Sequence, residues 1–171
     1  MGIRESLREK PGLTTGFAGA FVLLAVAVVA YSYWPQKKAD LSQALYSDDD
    51  GQTWFVDSIY KVAPFDHNGK TAVIAEVYSY DDGKQKFCAY VSQFTPEGKK
   101  QMEAALADAE KKGLPLGSVS LYQDRSFMNR SVEVKLAGPN HPWISYGDPK
   151  AQEVFTIHSP DGSAVDQVLV Y

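Results

Sequence analysis

Apolar and polar positions divide this chain into two unlike parts. Residues 13–33 read LTTGFAGAFVLLAVAVVAYSY, a run without a single Asp, Glu, Lys, Arg or His. As a helix at ~1.5 Å per residue it would extend roughly 31 Å, about one hydrocarbon core. Its polar residues, Thr14, Thr15 and Ser32, stand near the ends. Pro11 suits a first helical turn, where its missing N–H costs nothing. Tyr31, Tyr33 and Trp34 cluster at the far end, as amphipathic rings do at a headgroup boundary, and Pro35 closes the segment. The pattern predicts one membrane-spanning helix over 13–34. Two readings compete with it. A buried core helix rarely stays free of charge for so long. A cleaved signal peptide would use Val28-Val29-Ala30 as its small-residue site, but the apolar run outlasts a usual signal core.

Beyond residue 38 the pattern breaks into short runs. Ser47 to Gly51 is a polar turn before the apolar Trp54-Phe55-Val56, which reads as a hairpin over 46–60. Asn68-Gly69 is a second turn that favours positive φ. Residues 71–80 and 87–94 are rich in Val, Ile, Tyr and Phe around Asp81-Asp82-Gly83, and predict a further hairpin. Thr95-Pro96-Glu97 carries N-cap, first-turn proline and an acid at the positive helix end. Met102, Ala105, Leu106 and Ala109 then share one helical face, and Lys111-Lys112-Gly113 closes the helix. Short strands are expected at 118–122 and 131–136, a short helix from Asp148-Pro149 to Val154, and a last strand within 163–171.

The expected fold is therefore α+β: a single transmembrane helix followed by one small domain with an antiparallel sheet and one or two helices. The layout is a tail at 1–12, the span at 13–34, a linker at 35–43 and a domain at 44–171.

Charge adds an orientation. The first 38 residues hold five basic and two acidic side chains; residues 39–171 hold 12 basic and 19 acidic, a balance of −7. Arg4, Arg8 and Lys10 precede the run, and Lys37 and Lys38 follow it. This slight bias, with the short tail and large C-terminal part, places the N-terminus in the cytoplasm and the domain outside it, anchored in the cytoplasmic membrane. An acidic domain argues against nucleic acid, whose phosphates call for basic stripes. Gly12, Gly16 and Ala20 recur at four-residue spacing on one helix face, which lets another helix approach. The plainer reading is that glycine is common in membrane helices.

Candidate chemistry is sparse. Cys88 is the only cysteine, so no disulfide, zinc cluster or CxxC pair can form within one chain; the expectation is a buried, inert thiol. His67, His141 and His158 stand apart without metal-ligand spacing. Asp48-Asp49-Asp50 lacks the alternating ligands and final Glu of a calcium loop, and reads as a solvated acidic turn. No nucleophile elbow, P-loop or dinucleotide fingerprint occurs. Neither a cofactor nor a metal is expected.

Ser47-Asp48-Asp49-Asp50-Gly51-Gln52-Thr53-Trp54 fits Ser-x-Asp-x-Gly-x-Thr-Trp and resembles an Asp box, the hairpin motif repeated in sialidases and other β-propellers. Here it implies a structural turn: Ser47 and Asp49 bonding turn amides, Gly51 in a conformation other residues avoid, Trp54 packed beneath. Ser79-Tyr80-Asp81-Asp82-Gly83 looks like a degenerate second copy. One box does not make a propeller, and Arg125 and Arg130, the only arginines after residue 38, are too few for a sialidase triad. The ordered segments DDGQTWFVD, PFDHNGK, FTPEGKKQME, DPKAQE and SPDGS resemble an uncharacterised group of small single-pass membrane proteins of planctomycete bacteria. In that pattern cysteines often stand at the places of Tyr80 and Ser159; if they pair there, the resemblance implies that those turns lie close. It carries no function.

The expected function is a non-catalytic accessory or assembly subunit of a membrane protein complex, in contact with the lipid bilayer and with other subunits or a second copy. The alternative is a membrane-tethered ligand- or carbohydrate-binding module, with Trp54, Tyr78, Tyr90 or Trp143 as stacking surfaces.

Overall fold

The structure, a computed structural model, describes residues 42–169. The expected span at 13–34 and its small-residue face, Gly12, Gly16 and Ala20, lie outside the described residues. Among the described residues no helix is long and apolar enough to cross a membrane.

The described chain is an antiparallel α+β arrangement built on an eight-stranded sheet. Its strands are β1 (Gln43–Ser47), β2 (Phe55–Ser58), β3 (Phe65–His67), β4 (Lys70–Tyr80), β5 (Gln85–Phe94), β6 (Val132–Leu136), β7 (Ile144–Ser145) and β8 (Asp166–Gln167). The main order is β2-β1-β4-β5-β6-β7, with β3 and β8 also paired to β4. The long β4–β5 hairpin is the spine. Along β4 the side chains alternate, as the strand period requires. Val73, Ala75 and Val77 meet Cys88 and Val91 on one face. Ile74, Glu76 and Tyr78 belong to the other. Between Glu76 and Val77 the register slips, so that Tyr90 pairs with Glu76 and Cys88 with Val77, leaving Ala89 as a bulge. The Ala89 carbonyl accepts from the Ala137 amide at 3.2 Å.

Helices cover the second face. Helix α1 (Pro96–Lys111) starts where Thr95 Oγ1 accepts from the Gly98 amide at 3.1 Å. It buries Met102, Leu106 and Ala109 against Phe94, Val132 and Val134, with Ala105 half-buried beside them. Helix α3 (Ala151–Phe155) adds Ala151 and Val154 to the same cluster.

Three expectations are corrected here. The described residues hold three α-helices, not one or two: α2 (Arg125–Ser131) was not anticipated. Asp124 caps it, accepting from the Ser126 and Phe127 amides, yet only Phe127 and Ser131 are buried, too few positions to show a period. The segment 118–122 is not a strand but two 3-10 turns, Leu116–Ser118 and Ser120–Tyr122. Ser118 Oγ donates to the Pro115 carbonyl at 2.6 Å, one of the local bonds by which serine competes with extended pairing. The last strand covers only two of the residues expected, and a side-chain turn of Ser159, Asp161 and Ser163 takes up the start of that stretch.

Candidate functional site

Two features stand out. The first is the loop 48–54, which covers the face opposite the helices. Ser47 Oγ donates to Asp49 Oδ1 at 2.8 Å and accepts from the Gly51 amide at 2.8 Å. Asp49 Oδ1 also accepts from the Thr53 amide at 2.8 Å, and Oδ2 from Thr53 Oγ1 at 2.6 Å. Burial raises the Asp49 carboxyl, but the bonds from Thr53, Ser47 and Gln52 together outweigh it and hold the pKa below the usual carboxylate value. Gly51 has φ +88° and sits so close to the sheet that a Cβ would lie 2.9 Å from both Ala137 Cβ and Cys88 Sγ. Trp54 packs half-buried on Val73, Ala75, Val77, Cys88 and Val91.

The expectation of a solvated acidic turn is corrected by this geometry. Each of the three carboxylates has a protein partner. Asp48 Oδ2 meets His67 Nδ1 at 2.8 Å, with Lys70 Nζ 3.7 Å from Oδ1. Asp49 holds the loop. Asp50 pairs with Lys135, whose side chain is 6 % exposed. The His67–Asp48 contact bridges 19 positions and is invisible to local spacing. His67 also stacks on Phe55, ring centroids 3.9 Å apart. The degenerate copy at 79–83 does not bond as a box: Ser79 Oγ donates to the Asp166 carbonyl at 3.3 Å, and the turn closes through Gly83 and Lys84 amides. A closer echo lies at 159–163, where Ser159 Oγ is 3.0 Å from Asp161 Oδ1 and the Ser163 amide donates to the same oxygen at 2.9 Å.

The second feature is a cleft that opens at the edge of β4 and reaches the helical side of the sheet through Ile74, Glu76, Phe94 and Met128. It exists because one edge of β4 is divided. β5 occupies the other edge. On the free edge β1 pairs only with Val73 and Ile74 before following β2, and β8 pairs with Tyr78 and Ser79. Between them the two strands part and open a cleft of about 370 Å³. Its walls are mostly apolar: Tyr46, Val62, Ile74, Phe94, Met128 and Val168. A second hollow of about 260 Å³ shares Ile74, Glu76, Phe94 and Met128 with it, and adds Tyr90, Val134 and Tyr146.

Glu76 stands in the wall common to both. Its Oε2 accepts from Gln167 Nε2 at 2.9 Å, across β4 and β8. Burial pushes its pKa above the ordinary value, and the Gln167 bond offsets only part of that. Tyr90 lies opposite Glu76 on β5 and Tyr78 two positions along β4. Both phenols are raised, first by burial and then by the Glu76 charge. The Cys88 thiol, on the opposite face, donates to the Tyr90 carbonyl at 3.3 Å and is pushed up to about 12, chiefly by burial.

The aromatics offered as stacking surfaces lie on both faces of the sheet. Trp54 and Trp143 pack half-buried on the loop side, and the Trp143 ring already carries Lys135 Nζ 5.2 Å from its centroid. Tyr78 and Tyr90 stand with Glu76 on the helical side. Glu76 escaped the sequence reading. The available signal was one acid in TAVIAEVYSY, a strand otherwise almost free of charge.

No protein-family model, curated protein or solved structure matches the chain.

Proposed function

We propose that this chain is a membrane-tethered, non-catalytic binding domain, held in the cytoplasmic membrane by residues 13–34 with residues 44–171 on the extracytoplasmic side. The observation that carries the binding reading is the Glu76 cleft. It is concave, lined by apolar walls, and supplied with a few convergent polar groups, the usual anatomy of a small-ligand site. The protonation states support binding over chemistry. Tyr78, Tyr90 and Cys88 all keep their protons near neutral pH, so none of them is a ready nucleophile or base. The acidic balance of the domain supports a partner other than nucleic acid.

The test is native purification of the full chain in mild detergent, followed by denaturation and mass spectrometry. The expected result is a small molecule released from the wild type and absent after Ile74→Trp, which fills the cleft. A preparation that carries no small molecule, and whose cleft takes up no small apolar probe, overturns the reading. A reporter fused after residue 171 tests the placement; cytoplasmic activity of the reporter overturns it.

An accessory or assembly subunit of a membrane complex is the second reading. It is favoured by β2, an edge strand with Val56 49 % exposed and the adjoining Ile59 40 % exposed. Exposed apolar edges are templates for pairing with another chain. A stoichiometric protein that copurifies with the wild type and is lost with Val56→Lys supports this reading.

A further inference from the structure

Glu76 is the one feature of the cleft that apolar binding alone leaves unexplained. A carboxylate in an apolar wall is costly unless something compensates its charge. Among the described residues the ion pairs do not include Glu76. Its hydrogen-bond donor is the neutral amide of Gln167. The groups facing it are Tyr78 from its own strand, Tyr90 from β5 and Gln167 from β8, none of them cationic. Lys61 lines the rim of the cleft, but its ammonium is engaged by Asp57 at 2.6 Å and lies 4.9 Å from the Phe65 centroid.

We propose that the cleft takes a small apolar amine, with the ammonium on the Glu76 carboxylate and the hydrocarbon against Ile74, Phe94 and Met128. The proposal rests on the binding reading above and names its ligand class. Three arguments converge on a cation. The ligand charge would supply the counter-ion that the protein withholds, at a half-buried carboxylate whose one hydrogen bond, from Gln167, is exposed at the mouth of the site. Tyr90, which lines the adjoining hollow together with Glu76, puts an aromatic ring beside the acid, and such a ring favours a cation again. An anionic ligand would instead meet the Glu76 charge across an apolar wall. The volume of the cleft is that of a small-molecule site.

The experiment uses the full chain in nanodiscs, labelled at the methionine methyl groups. The chain has three methionines, of which Met128 lines the cleft and Met102 is fully buried under α1. Cyclohexylammonium, cyclohexanol and cyclohexanecarboxylate are titrated as probes of similar shape. The expected result is a saturable shift of the Met128 resonance with the amine, a fixed Met102 resonance, and weaker binding of the alcohol and acid by tenfold or more. Glu76→Gln should remove the tenfold preference for the amine, so that amine and alcohol bind about equally. Should that variant not fold, lowering the pH of the wild type to protonate Glu76 serves instead, and the amine should lose affinity while the alcohol does not. Equal affinity for amine and alcohol, or an amine preference that survives both treatments, overturns the amine proposal and leaves the binding reading standing. If none of the three moves Met128, both fall.

Discussion

Lys135, on β6, reaches to Asp50, 85 positions earlier, and so ties the loop 48–54 to β6 across the face that it covers. The lysine is nearly buried, while the Asp50 side chain is 40 % exposed. Lys135 Nζ has a second acceptor, the Gly138 carbonyl at 3.5 Å, and the Gly138 amide returns a bond to the Asp50 carbonyl at 2.7 Å. The two partners should therefore respond differently to removal. Asp50→Ala strands an ammonium in a site largely closed to water and should cost about 1–3 kcal/mol, reduced from a fully buried pair by solvent at the acid. Lys135→Met keeps most of the volume, leaves only a partly exposed acid behind, and should cost less. Urea denaturation of the two variants measures the order, and a larger loss for Lys135→Met would contradict it.

The same loop makes Gly51 doubly constrained. Its φ of +88° disfavours any side chain, and a Cβ would collide with Ala137 and Cys88 at 2.9 Å. Left-handed strain of about 1–2 kcal/mol adds to about 1–3 kcal/mol for overpacking, so Gly51→Ala should lose roughly 2–5 kcal/mol. Gly69 is the control. Its φ is +81°, but nothing lies within 4 Å of its Cβ position, so Gly69→Ala should show the strain alone, about 1–2 kcal/mol. Equal losses at the two sites would remove the argument for close approach at Gly51.

How much of this was legible in the chain follows from the range of each interaction. Helix α1 announces itself because Thr95, Pro96 and the Met102–Leu106–Ala109 face are all local signals. The loop 48–54 is readable for the same reason: Ser47, Asp49, Gly51 and Thr53 bond one another within seven positions. What that loop is for was not readable. Its outward contacts run from Asp48 to His67 and from Asp50 to Lys135, and no pattern in the sequence joins them. The cleft is less legible still. It arises where β1 and β8, at opposite ends of the domain, share one edge of β4, and its acid looks like an ordinary strand residue until Gln167 is brought beside it.

Glu76 and Asp49 should give opposite pH signatures. Glu76 has its folded pKa raised, above an unfolded value of about 4.3, so the folded state binds more protons in the window between the two. Stability then falls as pH rises through that window and stays lower above it. Tyr78, Tyr90 and Gln167 face the group and bring no cation that would cancel the effect. Asp49 has its pKa lowered, so its contribution is fully present above an unfolded value of about 3.9 and is lost as pH falls through the folded one. Glu76→Gln should raise stability at pH 7 and remove the decline above pH 4.3. Asp49→Asn should lower stability at pH 7 and flatten the acid limb. Denaturation midpoints between pH 2 and 8 decide it, and a Glu76→Gln variant less stable than the wild type at pH 7 would refute the first half.

Cys88 gives a readout of the sheet itself. The thiol is buried between Gly51 and the β4–β5 core, donates to the Tyr90 carbonyl, and is pushed up to about 12. The thiolate is the reactive form, and at pH 8 very little of it exists in such a site; access is closed as well. An unfolded cysteine, with a pKa near about 8.5, should react quickly at the same pH. Labelling of the native chain by an aromatic disulfide reagent should therefore run at the rate of local opening and accelerate sharply in denaturant. Because the thiol lies directly under Gly51, Gly51→Ala should speed native labelling more than Gly69→Ala does, even where denaturant is absent. Fast labelling of the wild-type native chain would show that the loop 48–54 does not seal this face.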